Sequence, residues 1–191
     1  MLSFSHRAAL ALAATSLIAL SLGCAAPVDA APAVRAYVAD ATNCKPATPS
    51  QLAWLKGDAW SKYAPYVRAC SVQDGQAAPA LLVVSVWEGP FYADQPSGSV
   101  EVEMPHPLLF TPDGRPLGEL PTNFPSDESS SIALRFADWK NGLPGEIHLC
   151  VKGPQPGGNY SMTPLHLAAS GRYEFAGDPS ATSPKDECHA Q

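Results

Sequence analysis

Three residues with chemically active side chains alternate along one segment of the sequence: Glu146, His148 and Cys150. If the segment is a β-strand, alternation places all three on one face, and one interpretation of this pattern is a metal-binding or acid–base surface. The competing interpretation is a solvated face on which Cys150 forms a disulfide. The cysteine count favours this second interpretation, because a sulfur in a disulfide is not a thiolate ligand.

A second group of residues has the chemistry of a copper site. Thioether and imidazole groups suit copper, and they occur together at Met104 and His106 and again at Met162 and His166. The chain has only 3 methionines, and one of them is Met1. Because such a low number is not typical of a copper carrier, the sequence predicts no bound metal and no cofactor.

Residues for catalysis are few. Glu101 and Glu103 alternate, and paired carboxylates can do acid–base work when a pocket raises one pKa, but alternate glutamates are also typical of an exposed strand face. No G-x-S-x-G motif provides a nucleophilic serine. The sequence therefore favours a protein that is not an enzyme. The alternative is a small hydrolase with His106, His148 or His166 as its base.

The five cysteines are Cys24, Cys44, Cys70, Cys150 and Cys188. Processing of an exported chain would separate Cys24 from the others and leave four, an even number that indicates two disulfides in an oxidising compartment. Three pairings are possible. Short separations close most easily, which favours Cys44–Cys70 and Cys150–Cys188.

The first residues are typical of an export signal. Arg7 precedes an uncharged apolar run over 8–22, which is shorter than the roughly 20 residues of a membrane span. The tetrapeptide ending at Cys24 resembles a bacterial lipobox, so the signal peptide is predicted to cover 1–23 and Cys24 to carry lipid. Ordinary signal peptidase cleavage after Ala30 is the alternative, with a signal peptide over 1–30.

Large aromatic residues are concentrated in about one fifth of the chain. They would form either a stacking surface for a sugar or protein partner, or a lid on one end of a hydrophobic core, and the core interpretation is favoured. The candidate binding surface consists of Trp54, Trp60, Tyr63, Tyr66, Phe91 and Tyr92.

Short alternating segments separated by turn residues predict a mainly β fold, a single antiparallel β-sandwich. A short helical segment, with Ser50 as N-cap and Gly57 as its end, is expected before the first strand. The predicted strands are 66–73, 80–87, 99–104, 108–111, 115–118, 131–136, 146–151, 160–167 and 172–175.

The segment 112–117, Pro-Asp-Gly-Arg-Pro-Leu, followed by the alternating strand 131–136, resembles bacterial immunoglobulin-like or transthyretin-like modules. The resemblance covers about a seventh of the chain and implies a fold class only. The predicted organisation is a flexible tether over 24–47, a β-sandwich over 48–176 and a polar tail over 177–191 that Cys188 attaches to the domain.

The net charge of -6 and the pI near 5.2 argue against nucleic acid as a partner. The sequence is interpreted as an exported, non-catalytic envelope protein, located in the periplasm or at the outer membrane. Its partner would be an unknown protein or glycan of the cell envelope, and membrane contact would come only from a lipid on Cys24. The alternatives are a small periplasmic hydrolase and a periplasmic copper-handling protein.

Overall fold

The structure is a computed structural model, and it describes part of the chain. The chain divides into two units, Met1–Ala30 and Ala31–Gln191, and every described residue belongs to the second. The backbone is described for residues 35–40, 42–75, 77–97, 102–121, 124, 131–152, 159–178 and 182–183. Side chains are described for the same residues except 35–36, 131–132, 151–152, 159–162 and 182–183.

One antiparallel sheet has five strands in the order β2-β3-β4-β5-β6. The β5–β6 hairpin turns at Gly114, whose φ of 91° favours glycine. The Thr111 carbonyl accepts from the amide of Gly114, and the Thr111 hydroxyl accepts from the amide of Arg115, both at 2.9 Å. The strands are β2 (Cys44–Pro46), β3 (Val67–Val72), β4 (Leu81–Val86), β5 (Leu108–Phe110) and β6 (Pro116–Glu119).

The second antiparallel sheet has seven strands among the described residues. Its main order is β1-β7-β8-β10-β11, while β9 pairs with both β8 and β12. The strands are β1 (Arg35–Tyr37), β7 (Ser131–Ala137), β8 (Glu146–Lys152), β9 (Asn159–Met162), β10 (Leu165–Leu167), β11 (Tyr173–Phe175) and β12 (Thr182–Ser183).

The described helices are short and connect or flank the strands of the five-stranded sheet. They are α1 (Pro49–Leu52), α2 (Asp58–Ser61), a 3-10 turn (Ala64–Tyr66) and α3 (Glu88–Ala93). The predicted helical segment before β3 is confirmed, but its N-cap is Thr48 and not Ser50. The helix ends at Leu52, and Gly57, its predicted end, is instead the N-cap of α2. Thr48 and Gln51 form a capping box, in which each side chain accepts from the other residue's backbone amide.

The main core lies between the two sheets. Inward residues on β7 and β8 were predicted from alternation, and the register confirms them, because Leu134 lies opposite Leu149 and Phe136 opposite Ile147, all buried. Trp87 is half-buried against the same core. Two other predicted inward residues have side chains outside the described ones: Ile132 and Val151. The predicted β-sandwich is confirmed; its immunoglobulin-like or transthyretin-like type stays a prediction.

Two predicted boundaries and two predicted strands differ from the structure, since the predicted strand 160–167 is divided into β9 and β10. Within the predicted tether 24–47, β1 pairs with β7 and β2 pairs with β3, so backbone hydrogen bonds hold its described residues 35–37 and 44–46 in the two sheets. Within the predicted tail 177–191, β12 pairs with β9. The alternating pattern at 99–104 is also misleading, because described residues 102–104 form no strand.

Candidate functional site

The five-stranded sheet is buried on both faces. Successive side chains of a strand point to opposite faces, and on β4 Leu81 and Val83 face the main core, whereas Leu82 and Val84 belong to a second hydrophobic cluster on the outer face. All six residues of β4 are buried. This explains why β4 has a continuous apolar sequence without the alternation of a half-exposed strand.

The second cluster contains the six aromatic residues of the candidate binding surface, together called the aromatic layer: Trp54, Trp60, Tyr63, Tyr66, Phe91 and Tyr92. Trp60 and Tyr63 are only 7% and 1% exposed, so these two residues are core and not binding surface. The other four are half-buried. The predicted lid on one end of the sandwich is wrong in position, because the layer covers the outer face of the five-stranded sheet.

Phe91 lies at the centre of the aromatic layer. Its ring centroid is 5.2 Å from Tyr63, 5.3 Å from Tyr66 and 5.2 Å from Tyr92, with interplanar angles of 69°, 89° and 72°. Edge-to-face contacts of this kind are favourable beyond the area that they bury. The layer is therefore a packed unit that holds its half-exposed edges in fixed positions.

Tyrosine hydroxyls bind the segment 102–107 and α3 to the layer. The Tyr63 hydroxyl donates to the carbonyl of Glu103 at 3.2 Å, and the Tyr92 hydroxyl accepts from the amide of Val102 at 3.4 Å. The Tyr66 hydroxyl donates to the Asp94 carboxylate at 3.0 Å. This hydrogen bond raises the pKa of Tyr66 above its usual value, and burial raises it further.

An open groove of about 400 Å³ borders the aromatic layer at Tyr63 and is called the polar groove. The Lys62 ammonium lies 4.7 Å from the centroid of the Tyr63 ring. Four exposed residues with ionisable side chains line the polar groove: Lys62, Glu103, His106 and Glu119. Met104 also lines the groove but is 4% exposed and packs in the second cluster, so burial limits its thioether as a surface ligand.

The outer face of the seven-stranded sheet contains the other two candidate histidines, His148 and His166. His148 Nε2 lies 2.9 Å from the Glu146 carboxylate, and the side chains are 12% and 40% exposed. His166 lies opposite Glu146 on β10. Cys150 is buried and disulfide-bonded, with a partner outside the described residues. The expected solvated face is therefore corrected to a partly buried one at His148 and Cys150.

The described residues contain no group of three or more His, Cys, Asp or Glu side chains that could hold a metal ion. The Met162 side chain is not among the described side chains, so its position relative to His166 is not given. Glu101 also lies outside the described residues. Glu103, its predicted partner, is exposed in the polar groove.

The Cys44–Cys70 disulfide joins neighbouring strands of the five-stranded sheet. The two residues are opposite each other on β2 and β3, with Cα atoms 3.8 Å apart. Both are fully buried in the main core. Cys24 and Cys188 lie outside the described residues, so the pairing of Cys150 with Cys188 and lipidation of Cys24 stay predictions.

Sequence reasoning missed a smaller, partly enclosed cavity of about 150 Å³ between the two sheets. Tyr37, Phe136 and Trp139 form part of its wall, and Asp74 lies in the same lining. Tyr37 and Asp74 are far from Trp139 in sequence and no motif connects them. The one available signal was Trp139 itself, a large aromatic residue directly after a predicted strand.

Two packed antiparallel sheets, with an aromatic layer on the outer face of one, define a mainly β sandwich protein. Comparison of the chain with protein-family models, with curated proteins and with solved structures found no match. Within the described ranges, no helix has the length and hydrophobicity of a membrane span.

Proposed function

We propose that the chain is an exported, non-catalytic protein of the bacterial cell envelope that binds another macromolecule. The apolar run 8–22 after Arg7 supports export, and the Gly23-Cys24 pair that follows supports a lipid anchor. The Cys44–Cys70 disulfide fits an oxidising compartment. The proposed location is the periplasm or the outer membrane, with Cys24 as the lipidated residue.

The observation that carries the binding proposal is the junction of the aromatic layer and the polar groove. The groove meets the layer at Tyr63, and within the layer the half-buried Tyr66 ring is held by Asp94 and by the ring of Phe91, which also contacts Tyr63. Lys62 and His106 offer exposed polar groups in the groove. Rigid aromatic side chains bordered by a polar rim are typical of protein and glycan contact surfaces.

The chemistry of this surface favours a partner with both apolar and hydrogen-bonding groups. A sugar ring can stack on an aromatic face and hydrogen-bond to the carboxylates of Glu103 and Glu119. A protein segment can offer the same combination, with a basic side chain for those carboxylates. The proposed partner is accordingly an envelope protein or glycan.

A hydrolase is a second candidate because His106 lines the same groove as Glu103 and Glu119. A histidine beside carboxylates is the arrangement that general acid–base catalysis requires. The groove is open, whereas hydrolytic sites exclude water from most of the substrate. The His106→Gln variant distinguishes the two functions. A hydrolase would lose its activity in this variant, whereas a binding protein would only bind its partner more weakly.

The test is affinity capture with purified mature protein and envelope extract, followed by mass spectrometry. Wild-type protein is compared with a Tyr66→Ala, Lys62→Ala double variant, which removes one aromatic group of the layer and one charged group of the groove. Val38→Ala is the control, because Val38 is a 59% exposed apolar residue that belongs to neither hydrophobic cluster. The proposal expects a partner that wild type and the control retain and the double variant loses. Equal capture by all three proteins would contradict it.

A further inference from the structure

We infer that the cavity bounded by Tyr37, Phe136 and Trp139 is a binding site for a small alkylammonium cation, with Asp74 as the counter-charge. The cavity lies where the two sheets meet. Tyr37 and Phe136 come from β1 and β7 of the seven-stranded sheet, and Val72 from the end of β3 in the five-stranded sheet. This site is separate from the aromatic layer and does not depend on the proposed function.

The size of the cavity limits the ligand. Its volume is about 150 Å³. Engineered protein cavities of about this volume bind benzene, a ligand of six non-hydrogen atoms. A tetramethylammonium or choline cation, with about five to seven non-hydrogen atoms, has the matching size.

The aromatic rings form walls and not a stack. The centroids of Tyr37 and Phe136 are 5.7 Å apart with planes at 69°, and those of Phe136 and Trp139 are 6.2 Å apart with planes at 54°. In an inclined pair the edge of one ring meets a face of the other, which leaves the remaining electron-rich ring faces free to border the partly enclosed cavity. Aromatic enclosures of this kind bind quaternary ammonium groups by cation–π attraction.

The charges around the cavity also favour a cation. Among the described residues that line it, Asp74 carries the only formal charge at neutral pH. Burial raises the pKa of the Tyr37 hydroxyl, and the negative charge of Asp40 raises it further. An anion would find no positive side chain in the described lining, whereas a cation finds the Asp74 carboxylate and aromatic rings.

The Tyr37 hydroxyl oxygen is buried and has no hydrogen-bond partner among the described residues. Buried hydroxyls normally have a partner, because an unsatisfied polar group lowers stability. A ligand in the cavity that Tyr37 borders can provide one through a hydroxyl or a polarised C–H group. This observation is independent of the ring geometry and favours a ligand with polar character.

The test compares choline with 3,3-dimethylbutan-1-ol, a neutral molecule of the same shape in which carbon replaces nitrogen. Calorimetric titration of the mature protein should give a choline dissociation constant about ten-fold lower than that of the neutral alcohol, as expected for cation–π contacts. Equal affinity for the two molecules would overturn the inference in favour of an apolar site. No heat of binding from choline at concentrations well above 10 mM, roughly the limit of weak specific binding, would also overturn it.

Two variants locate the site. Asp74→Asn should weaken choline binding about two- to five-fold and leave the neutral alcohol unaffected, because an exposed carboxylate contributes modestly. Asp113→Asn, in the β5–β6 turn and outside the cavity lining, is the matched control and should not change either affinity. Trp139→Leu should abolish the preference for choline. Unchanged choline affinity in both Asp74→Asn and Trp139→Leu would show that choline binds elsewhere.

The ammonium group has two possible sources, a free solute or a lipid headgroup. Vesicles of phosphatidylcholine are therefore added as competitors in the choline titration, with phosphatidylglycerol vesicles as the control. Competition by phosphatidylcholine alone supports the site and assigns it to a headgroup. Choline binding without competition supports the site and assigns it to a free solute. Equal competition by both lipids would show that the site does not select for an ammonium group, and this would overturn the inference.

Discussion

The indole of Trp54 packs directly against Gly114, on the β5–β6 turn. A β-carbon added to Gly114 would lie 2.5 Å from Cε2 of the Trp54 ring, closer than a real β-carbon can approach. Trp54 also contacts Phe110, with ring centroids 5.3 Å apart. The turn that the Asp113-Gly114 pair encodes is therefore also a packing surface for the aromatic layer.

This contact predicts that Gly114→Ala is strongly destabilising. The substitution would strain a residue with a φ of 91° and force the Trp54 ring to move. Together these effects should cost about 2–4 kcal/mol of unfolding free energy. Gly142→Ala is the matched control, since Gly142 has a φ of 81° but no atom within 4 Å of an added β-carbon. Urea denaturation that gave equal losses for both variants would contradict the packing of Trp54 on Gly114.

The Cys44–Cys70 disulfide should contribute substantially to stability. It closes a loop with a sequence separation of 26 in the unfolded chain, and replacing both cysteines by alanine should cost about 2–5 kcal/mol. Thermal or urea denaturation of the double variant measures this loss. Thiol titration of the denatured, unreduced wild-type protein should detect no free thiol other than Cys24. Two or more free thiols besides Cys24 would contradict the prediction of two disulfides.

Two tyrosines with buried hydroxyl groups provide a matched pair for a hydrogen-bond test. The Tyr173 hydroxyl donates to the buried carbonyl of Pro144 at 2.7 Å, whereas the Tyr37 hydroxyl has no partner among the described residues. Tyr173→Phe should therefore lower the unfolding free energy by about 1–2 kcal/mol. Tyr37→Phe should change it by less than about 0.5 kcal/mol. A larger loss from Tyr37→Phe than from Tyr173→Phe in the same denaturation assay would reverse this assignment.

The buried hydroxyl of Tyr173 also predicts a loss of stability at alkaline pH. Burial raises the pKa of Tyr173 above its ordinary value of 10.0. The folded state then keeps a proton that the unfolded state loses, so this contribution is fully present below pH 10 and decreases as the pH rises above it. Wild-type protein should lose stability between about pH 10 and 12, and Tyr173→Phe should lose less over this range. Identical profiles of melting temperature against pH would contradict the burial of this hydroxyl.

Alternation in the sequence was sufficient to predict the main core but not the second one. Leu134 and Ile147 could be assigned inward because polar or small residues alternate with apolar ones on β7 and β8. The apolar run of β4 has no such contrast. It indicates burial of both faces, but it does not show that Trp60 and Tyr63 cover the outer one.

Short strands and long-range cavities were not accessible from sequence patterns. β1 and β12 have only 3 and 2 residues, too few for alternation to be visible. The cavity wall combines Tyr37, Asp74 and Trp139, which only the pairing of β1 with β7 and the packing of the sheets bring together. The Cys44–Cys70 disulfide was predictable because sequence separation alone limits loop closure.

Lipidation of Cys24 has a direct cellular test. If Cys24 carries lipid, Cys24→Ala should move the protein from the membrane fraction to the released fraction, since the acyl chains hold it to the bilayer. Cys188→Ala should leave this distribution unchanged and is the control for loss of a cysteine. N-terminal sequencing that finds a mature wild-type chain beginning at Ala31 would contradict lipidation and support ordinary cleavage.

The proposal that the aromatic layer and polar groove bind an envelope macromolecule is tested most directly by site-specific photo-crosslinking in cells. A photoreactive phenylalanine analogue is placed at Tyr66, a half-buried residue of the aromatic layer, and in a separate strain at Glu174, an exposed residue of β11. The account predicts a discrete adduct of higher mass from position 66 and none from position 174. Identical adducts from both positions, or no adduct from position 66 in protein that is expressed and exported, would contradict it.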